Sequence, residues 1–462
     1  MYVEQFLTAY DDSLSADSKI DPLGQLVIWS SWGQHIFNSR ITSIANDVRQ
    51  YTLNLLHHSV MRQLLADDNQ QTAGAMKSRY GKKQLPEFRA ACLIHMENIY
   101  IYSMLAEEKK GVELTGVQGI NKARPKWIPG ENNPVLCFGH DHHSELLRNQ
   151  LALGTNGRYK SPMMNMGFFS TDYRYDLPKN KAVWQDAEAF IKRTPVLKKL
   201  RAEALNYLQS LMQVSGKRGL NPLFKEISPA LKKAYVNAFR DPKMVGDYAC
   251  DFWLRMTGLN KNAAGAIYHV LEQERQRGDE VYYSPSEVFK LAERQAKKRP
   301  EINGDALITL QHIRHAEPFL SLIDLMFSGL RRQSSQTLSA FGQFWQARGL
   351  NSQHLPQLAA QIQQNNALLS SLSGTPAWRF QRLLALASAP TLEQQVQGLL
   401  AYHRDLMEAR GQFPWLVLEG ENIVLHIPPQ TFDEKRQNDD WVNHYYLPQF
   451  RHLLKGLWGT AA

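Results

Sequence analysis

The stretch that decides the fold of this chain is DPLGQLVIWSSWGQHIFNSRITSIANDVRQYTLNLLHHSVMRQLL, residues 21–65. Its first apolar run, residues 26–29, is short and continuous, which predicts a strand. A long helical pattern follows, with Arg40, Arg49 and His57 among or beside its apolar positions. The apolar residues that recur on one helical face are Ile41, Ile44, Val48, Tyr51, Leu55 and Leu56. The stretch therefore predicts a strand and then an amphipathic core helix.

Length and composition limit the class of protein. The chain has 462 residues, which predicts two or three domains, and its 43% hydrophobic content excludes a disordered protein. No apolar run reaches the roughly 18 residues of a membrane span, and the acidic N-terminus does not resemble a signal peptide. Three widely spaced cysteines, Cys92, Cys137 and Cys250, favour a reducing compartment. We therefore predict a cytoplasmic protein without a membrane partner.

Helical periodicity covers most of the remaining chain. The predicted helices span residues 85–109, 144–153, 180–194, 195–214, 228–240, 243–257, 303–331 and 391–411, and a closing helix carries Trp441, Tyr445, Phe450, Leu453 and Leu454. Ser284 and Glu287 have the spacing of a capping box at a helix start. Two apolar runs, residues 415–419 and 423–427, flank a Gly-Glu-Asn turn and predict a β-hairpin. The predicted fold class is mainly α, multi-helical and multidomain, with a small C-terminal β-hairpin.

Changes of composition predict three domains. Residues 1–170 form an N-terminal helical domain with Gly- and Pro-rich loops, and residues 171–332 form a basic helical domain. Residues 333–462 form a C-terminal helical domain that contains the β-hairpin. The second boundary rests on a Ser- and Gln-rich break at residues 333–336, a composition typical of loops.

The charge of the chain is uneven. Lys and Arg number 53 against 44 Asp and Glu, a net charge of +9. Residues 174–255 contain 16 Lys and Arg against 8 Asp and Glu, so a net +8 lies in that segment. Such an excess favours a polyanionic partner, DNA or another nucleic acid. The alternative is that these charges only keep helix faces solvated.

Just before and at the start of this segment, basic residues interleave with Tyr159, Tyr173 and Tyr175, a pattern that suits holding phosphates and stacking on bases. The predicted nucleic-acid-binding residues are Arg158, Lys160, Arg174, Lys192, Arg193, Lys198, Lys199, Arg201, Lys217, Arg218, Lys232 and Lys233. Several of those between Lys192 and Arg201 are spaced three or four residues apart, which places them on related helix faces.

A second cluster lies in CFGHDHHSEL, residues 137–146. His140, His142 and His143, with nearby carboxylates, are candidate metal ligands, because imidazole and carboxylate suit zinc or iron. The order His-Asp-His-His differs from the H-x-H-D-H signature of metallo-hydrolases, and no distant ligand is evident. The favoured interpretation is a polar loop at a helix start, with Asp141 or Ser144 as the cap.

No motif for nucleophilic catalysis or NTP hydrolysis is present, and the Gly-rich stretch GTNGRYKSP, with Arg158 and Lys160, is only a weak signal for a phosphate site. The chain lacks a G-x-S-x-G elbow and a G-x-x-x-x-G-K-[ST] loop. Cys92 and Cys250 lie in apolar helical patterns, which predicts small core residues. We predict no catalytic residue, no metal and no cofactor.

Residues 21–65 resemble the opening of a family of uncharacterised bacterial proteins encoded in mobile-element and phage-defence gene neighbourhoods. The resemblance covers about the first third of the chain and implies a helix-rich body and an antiviral defence role. With the basic segment, it predicts a non-enzymatic DNA-binding or scaffold subunit that works with other protein subunits encoded nearby. One alternative is a metal-dependent hydrolase or nuclease that uses the cluster from His140 to Glu145. Another is a structural adaptor between proteins whose basic charge is incidental.

Overall fold

The computed structural model describes residues 21–67, 71–127, 131–278, 282–299 and 304–460. Within these ranges helices predominate and one small antiparallel sheet is present, which confirms the predicted mainly α class. None of the helices in the described part of the chain is long and apolar enough to cross a membrane.

The secondary-structure elements run in chain order as follows. The helices are α1 (Leu26–Ile36), α2 (Val48–Ala66), α3 (Gly74–Tyr80), α4 (Pro86–Ala106), α5 (Ile120–Trp127), α6 (Gln150–Leu153), α7 (Thr155–Arg158), α8 (Lys160–Asn165), α9 (Lys181–Arg193), α10 (Pro195–Met212), α11 (Pro229–Phe239), α12 (Pro242–Thr257), α13 (Asn262–Gln276), α14 (Pro285–Lys298), α15 (Gly304–Leu330), α16 (Leu338–Ala347), α17 (His354–Gln363), α18 (Asn366–Ser370), α19 (Gly374–Ala387), α20 (Leu392–Glu408) and α21 (Leu447–Leu457). The strands are β1 (Ser335–Thr337), β2 (Leu416–Glu419) and β3 (Asn422–Leu425).

The described chain forms two compact units, and each is discontinuous in sequence. The first unit contains Ser39–Thr257 together with residues 448–460. The second contains residues 21–38 together with Gly258–Leu447. Helices α2 to α12 therefore belong to the first unit, and α1, α13 to α20 and the three strands belong to the second.

The first unit is built around α2, which packs against α4, α9, α10 and α12. The Asp47 carboxylate accepts hydrogen bonds from the backbone N–H of Arg49, at 2.7 Å, and of Gln50, and so fixes the start of α2. Ile41 and Ile44 consequently lie in the loop before the helix, and the prediction that they share its face is wrong. Almost every residue of α2 is buried, so the helix is a central element of the core.

The second unit contains α1 where the sequence predicted a strand at residues 26–29, and that prediction is wrong. Ile28, Trp29, Trp32 and Ile36 are all buried, at the three- and four-residue spacing of one helical face. A window of four residues is too short to show this period. In the folded chain α1 packs against α13, α15 and α19 of the same unit.

The sheet of the second unit is antiparallel with the strand order β1-β3-β2. The predicted hairpin is present as β2 and β3, with Val417 opposite Val424. The Ser- and Gln-rich break at residues 333–336 contains part of β1, which pairs with β3. Gln336 is buried and donates hydrogen bonds to the carbonyls of Gly329 and Leu330, at 3.1 and 2.9 Å. Two polar residues of the break, Ser335 and Gln336, therefore lie in a paired strand.

A fully buried carboxylate, Glu317 on α15, connects three parts of the second unit. It accepts five hydrogen bonds, from 2.5 to 3.2 Å long. The donors are the Trp29 indole, the Ser321 and Tyr445 hydroxyls, and the backbone N–H groups of Val442 and Asn443. Burial raises the pKa of Glu317, the hydrogen bonds oppose this effect, and the resulting pKa is about 7.

The closing helix α21 begins at Leu447, so Trp441 and Tyr445 precede it instead of lying within it as predicted. From Pro448 onward the chain belongs to the first unit. There Gly246 of α12 approaches the Gly456 backbone so closely that an added Cβ would lie 1.9 Å from the Gly456 carbonyl oxygen. Only glycine fits at this crossing of α12 and α21.

Candidate nucleic-acid interface

The junction of α9 and α10 presents four basic side chains to solvent: Lys192, Arg193, Lys198 and Lys199. The junction forms because Pro195 cannot continue α9 with a hydrogen bond but fits the first turn of α10. Apolar residues on both sides, including Phe190 and Leu197, are buried and fix the orientation of the two helices' outer faces. Exposure of these four cations therefore follows from the amphipathic pattern of the helices.

None of these four side chains has an ion-pair partner among the described residues, and all four face solvent. The Arg193 guanidinium lies over the Phe190 ring, 5.8 Å from its centroid, which restrains that side chain. Lys192, Lys198 and Lys199 have no such restraint. Their charges are not neutralised locally, so they are available to an anion.

Arg201, the next basic residue of α10, has a different role. Its side chain is only 12% exposed and pairs with Glu188 of α9. Arg62 of α2 lies 3.4 Å from the same carboxylate. Arg201 therefore connects helices within the first unit, and its charge is already compensated.

Of the three predicted residues nearest the tyrosines, Arg158 and Lys160 contact other side chains of the protein and Arg174 is exposed. Arg158 donates to the Gln118 side chain at 2.7 Å. The Lys160 ammonium lies 4.4 Å from the centroid of the Tyr173 ring, and burial lowers the pKa of this lysine. Arg174 is exposed and lies 3.3 Å from Asp176, a weak surface pair.

Two of the three tyrosines, Tyr159 and Tyr175, belong to the core, and Tyr173 is half-buried. Tyr159 is fully buried, and its hydroxyl accepts hydrogen bonds from two backbone N–H groups at the start of α2. The Tyr175 hydroxyl bonds to His58 at 2.7 Å, and the Tyr173 hydroxyl accepts from Asn156 at 2.8 Å. Because Tyr159 and Tyr175 are buried, the prediction that they stack on exposed bases is wrong.

The remaining predicted residues lie beyond α10. Lys217 and Arg218 are exposed in the 3-10 turn Lys217–Leu220, and Arg218 lies 3.8 Å from Glu226. Lys232 of α11 donates to the Phe224 carbonyl at 3.0 Å and lies over the Phe224 ring, so it is a packing residue. Its neighbour Lys233 is exposed.

The histidine cluster forms a polar turn. His140, His142 and His143 are exposed, and the helix predicted from residue 144 begins only at α6, because residues 144–149 form turns. The Asp141 carboxylate accepts from the backbone N–H of His143 and Ser144 and lies 2.8 Å from Arg79. Burial acts to raise the pKa of Asp141, but the bonds from Ser144 and the Arg79 charge outweigh it and lower the pKa.

Glu145, the other carboxylate of the cluster, accepts hydrogen bonds from the backbone N–H of Asn149 and Gln150, at 3.0 and 2.8 Å. Both carboxylates are thus occupied by backbone donors. Within the described ranges, no three His, Cys, Asp or Glu side chains are arranged to hold a metal ion.

Sequence reasoning missed a network of polar side chains between α2, α4 and the segment that contains α6 and α7. Glu97 of α4 is buried and accepts from the Thr155 backbone N–H at 2.6 Å and from Gln150 at 3.2 Å. Gln50 accepts from the Thr155 hydroxyl at 2.6 Å, and Asn54 donates to the Thr155 carbonyl. Burial raises the pKa of Glu97, against the lowering effect of these bonds.

The paired histidines of α2 belong to the same interior. His58 bonds to Tyr175 and Asn156, each at 2.7 Å, and His57 bonds to Tyr235 at 3.0 Å. Burial lowers the pKa of both imidazoles to about 3, so they are neutral at physiological pH. The network therefore holds the segment around Thr155 in place and presents no charged imidazole to a ligand.

A cleft of about 550 Å³ lies in the second unit. Its lining residues are Ser284, Pro285, Ser286, Asp433, Arg436, Asp439, Asp440, Trp441 and Val442. The Arg436 guanidinium is bound to Asp324 and to the Ser321 carbonyl, at 2.7 and 3.0 Å. The three aspartates leave the cleft acidic, so it repels a polyanion and does not belong to a phosphate-binding surface.

No family model, no curated protein and no solved structure matches this chain. The candidate interface therefore rests on its geometry: a compact set of unpaired cations at the junction of α9 and α10.

Proposed function

We propose that this chain is a nucleic-acid-binding protein that contacts the phosphate backbone of DNA without reading its sequence. The observation that supports this proposal is the set of exposed, unpaired cations at the junction of α9 and α10, Lys192, Arg193, Lys198 and Lys199. Phosphate contacts by lysine and arginine provide affinity and position, whereas sequence is read by groups that reach base edges. Exposed lysines on a helix surface therefore supply phosphate contacts and no reading of the base sequence.

The proposed role is that of a non-enzymatic subunit that works with neighbouring proteins in antiviral defence. This part of the proposal rests on the resemblance of residues 21–65 to proteins encoded beside phage-defence genes. The hydrolase alternative gains no support from the geometry, because backbone N–H groups and the Arg79 guanidinium bind the oxygens of Asp141, and backbone N–H groups bind those of Glu145.

A charge-neutralising variant tests DNA binding. Lys192, Lys198 and Lys199 are changed to Gln together, and Arg193 is kept because it packs over the Phe190 ring. If each lysine neutralises one phosphate, the slope of log affinity against log salt should decrease in magnitude by about 3, at ~0.9 per phosphate. At low salt the affinity for a random-sequence duplex should fall on the order of tenfold or more.

The matched control changes Lys82, Lys109 and Lys126 to Gln. These three lysines are also exposed and lie in the first unit, but on separate segments, so the control removes the same net charge without removing a cluster. Fluorescence anisotropy with labelled duplex measures both variants over a salt series. Equal affinities of the two variants at every salt concentration would refute the assignment to this junction.

A further inference from the structure

Helix α14 in the second unit has a basic outer face that the charge distribution of the sequence did not single out. Its inner face buries Val288, Phe289, Ala292 and Ala296, and it packs against α13 and α15. The exposed residues include Lys290, Arg294 and Lys298. These three residues are spaced by four, so they lie in one row with a step of about 6 Å along the helix axis.

Neither carboxylate of α14 forms an ion pair with a member of this row, although the charge of Glu287 acts on Lys290. Glu293 is on the buried side of α14, where it pairs with Lys297 at 2.7 Å and with Arg314. Glu287 belongs to the helix cap: its carboxylate accepts from the Ser284 backbone N–H and hydroxyl, both at 2.8 Å. That arrangement is the predicted capping box, and the structure confirms it.

Among the described residues, Lys290, Arg294 and Lys298 have no ion-pair partner. Favourable interaction with the helix dipole accounts for cations in the last turn, such as Lys298, but not for Lys290 near the middle of α14. A face that only solvates a helix commonly mixes both signs of charge. Here the row itself contains cations alone, and the one exposed carboxylate of α14 beside it, Glu287, is held by the helix cap; a row of cations suits a line of phosphates.

We propose that Lys290, Arg294 and Lys298 form a second phosphate-binding surface, on the second unit, for the backbone of a nucleic acid. The inference rests on the proposed function and extends it from the first unit to the second. The regular step of the row favours a polymer with regularly repeated charges, since each cation can then meet a separate phosphate. An acidic protein surface is the competing class of partner.

The test uses the full chain and a random-sequence DNA duplex. Lys290→Gln, Arg294→Gln and Lys298→Gln are combined, and the control is again the scattered variant at Lys82, Lys109 and Lys126. Both remove three positive charges from exposed positions. The α14 variant should bind the duplex at least tenfold more weakly than the control at low salt. Its slope of log affinity against log salt should be smaller in magnitude than that of the control by about 3.

The outcomes separate this inference from the proposed function. If the wild-type chain binds the duplex and the α14 variant matches the scattered control, the α14 surface does not bind nucleic acid and this inference fails alone. If the wild-type chain shows no salt-dependent binding, the proposed function and this inference both fail. The α14 variant should keep the circular dichroism and thermal midpoint of the wild type, because all three substituted positions are exposed.

Discussion

The variant Glu317→Gln tests how the buried carboxylate stabilises the second unit. One carboxylate oxygen accepts from Ser321, Val442 and Asn443, and the other from the Trp29 indole and the Tyr445 hydroxyl. A glutamine keeps a single acceptor oxygen. If that oxygen retains the three bonds on the first side, the amide NH2 faces two donors. The tyrosine hydroxyl can rotate and accept, but the indole N–H loses its acceptor, a buried loss of about 1–3 kcal/mol.

The cost depends on pH, because the folded-state pKa of Glu317 is raised to about 7 from its ordinary value of 4.5. Between these two values the folded state holds more protons than the unfolded state, so the wild-type stability decreases as pH rises. The decrease is complete above the folded-state pKa and amounts to about 3 kcal/mol, at ~1.36 kcal/mol per pKa unit. Glutamine does not titrate, so Glu317→Gln should lack this dependence.

Urea unfolding of both proteins near pH 5 and pH 8, followed by tryptophan fluorescence, measures the difference. We expect the variant to be less stable by about 1–3 kcal/mol near pH 5, and to approach or exceed the wild type near pH 8. Glu434→Gln, at an exposed carboxylate in the segment between β3 and α21, which also contains Val442 and Asn443, is the control and should show no such change. A stability difference that is the same at both pH values would refute the raised pKa. Equal stability near pH 5 would refute the account of the hydrogen bonds.

Two further substitutions test local geometry in the first unit. Asp47→Ala removes the cap of α2 and should lower the free energy of unfolding by about 0.5–2 kcal/mol, whereas Asp47→Asn, which keeps an acceptor oxygen, should recover most of it in thermal unfolding. Gly246→Ala places a methyl group against the Gly456 carbonyl and should destabilise by at least about 1–3 kcal/mol. Gly342→Ala, at a helical glycine with an ordinary 3.9 Å contact, is its control, and equal melting points would show that α12 and α21 can separate at little cost.

Local patterns in the sequence predicted the helices of the basic segment well. Helices α9, α10, α11 and α12 have the predicted positions to within a few residues, because each has its own apolar face and Pro195 marks a clear start. The β-hairpin and the cap formed by Ser284 and Glu287 could also be predicted from the sequence, because turn and capping interactions involve residues only three or four positions apart. These features need no knowledge of distant partners.

The candidate site was only partly predictable, because exposure depends on distant contacts. Lys198 and Arg201 are three residues apart and lie on related faces of α10, yet Lys198 is exposed and Arg201 pairs with Glu188. The polar network had no local signal either. Glu97 and Gln50 meet Thr155 across long sequence separations, and a polar residue on a central helix resembles an exposed one until its partner is known.

The interleaved course of the chain has a consequence for synthesis on the ribosome. The first unit includes α21, which is synthesised only after all of Gly258–Leu447. Until then, the surface of α12 beside Gly246 has no partner helix, while the second unit already has all its segments. All segments of the second unit are therefore translated before the last segment of the first unit, although most of the second unit is translated later. A chain truncated after Leu447 would contain every segment of the second unit and leave the surface of α12 beside Gly246 without its partner helix, a state that limited proteolysis can detect.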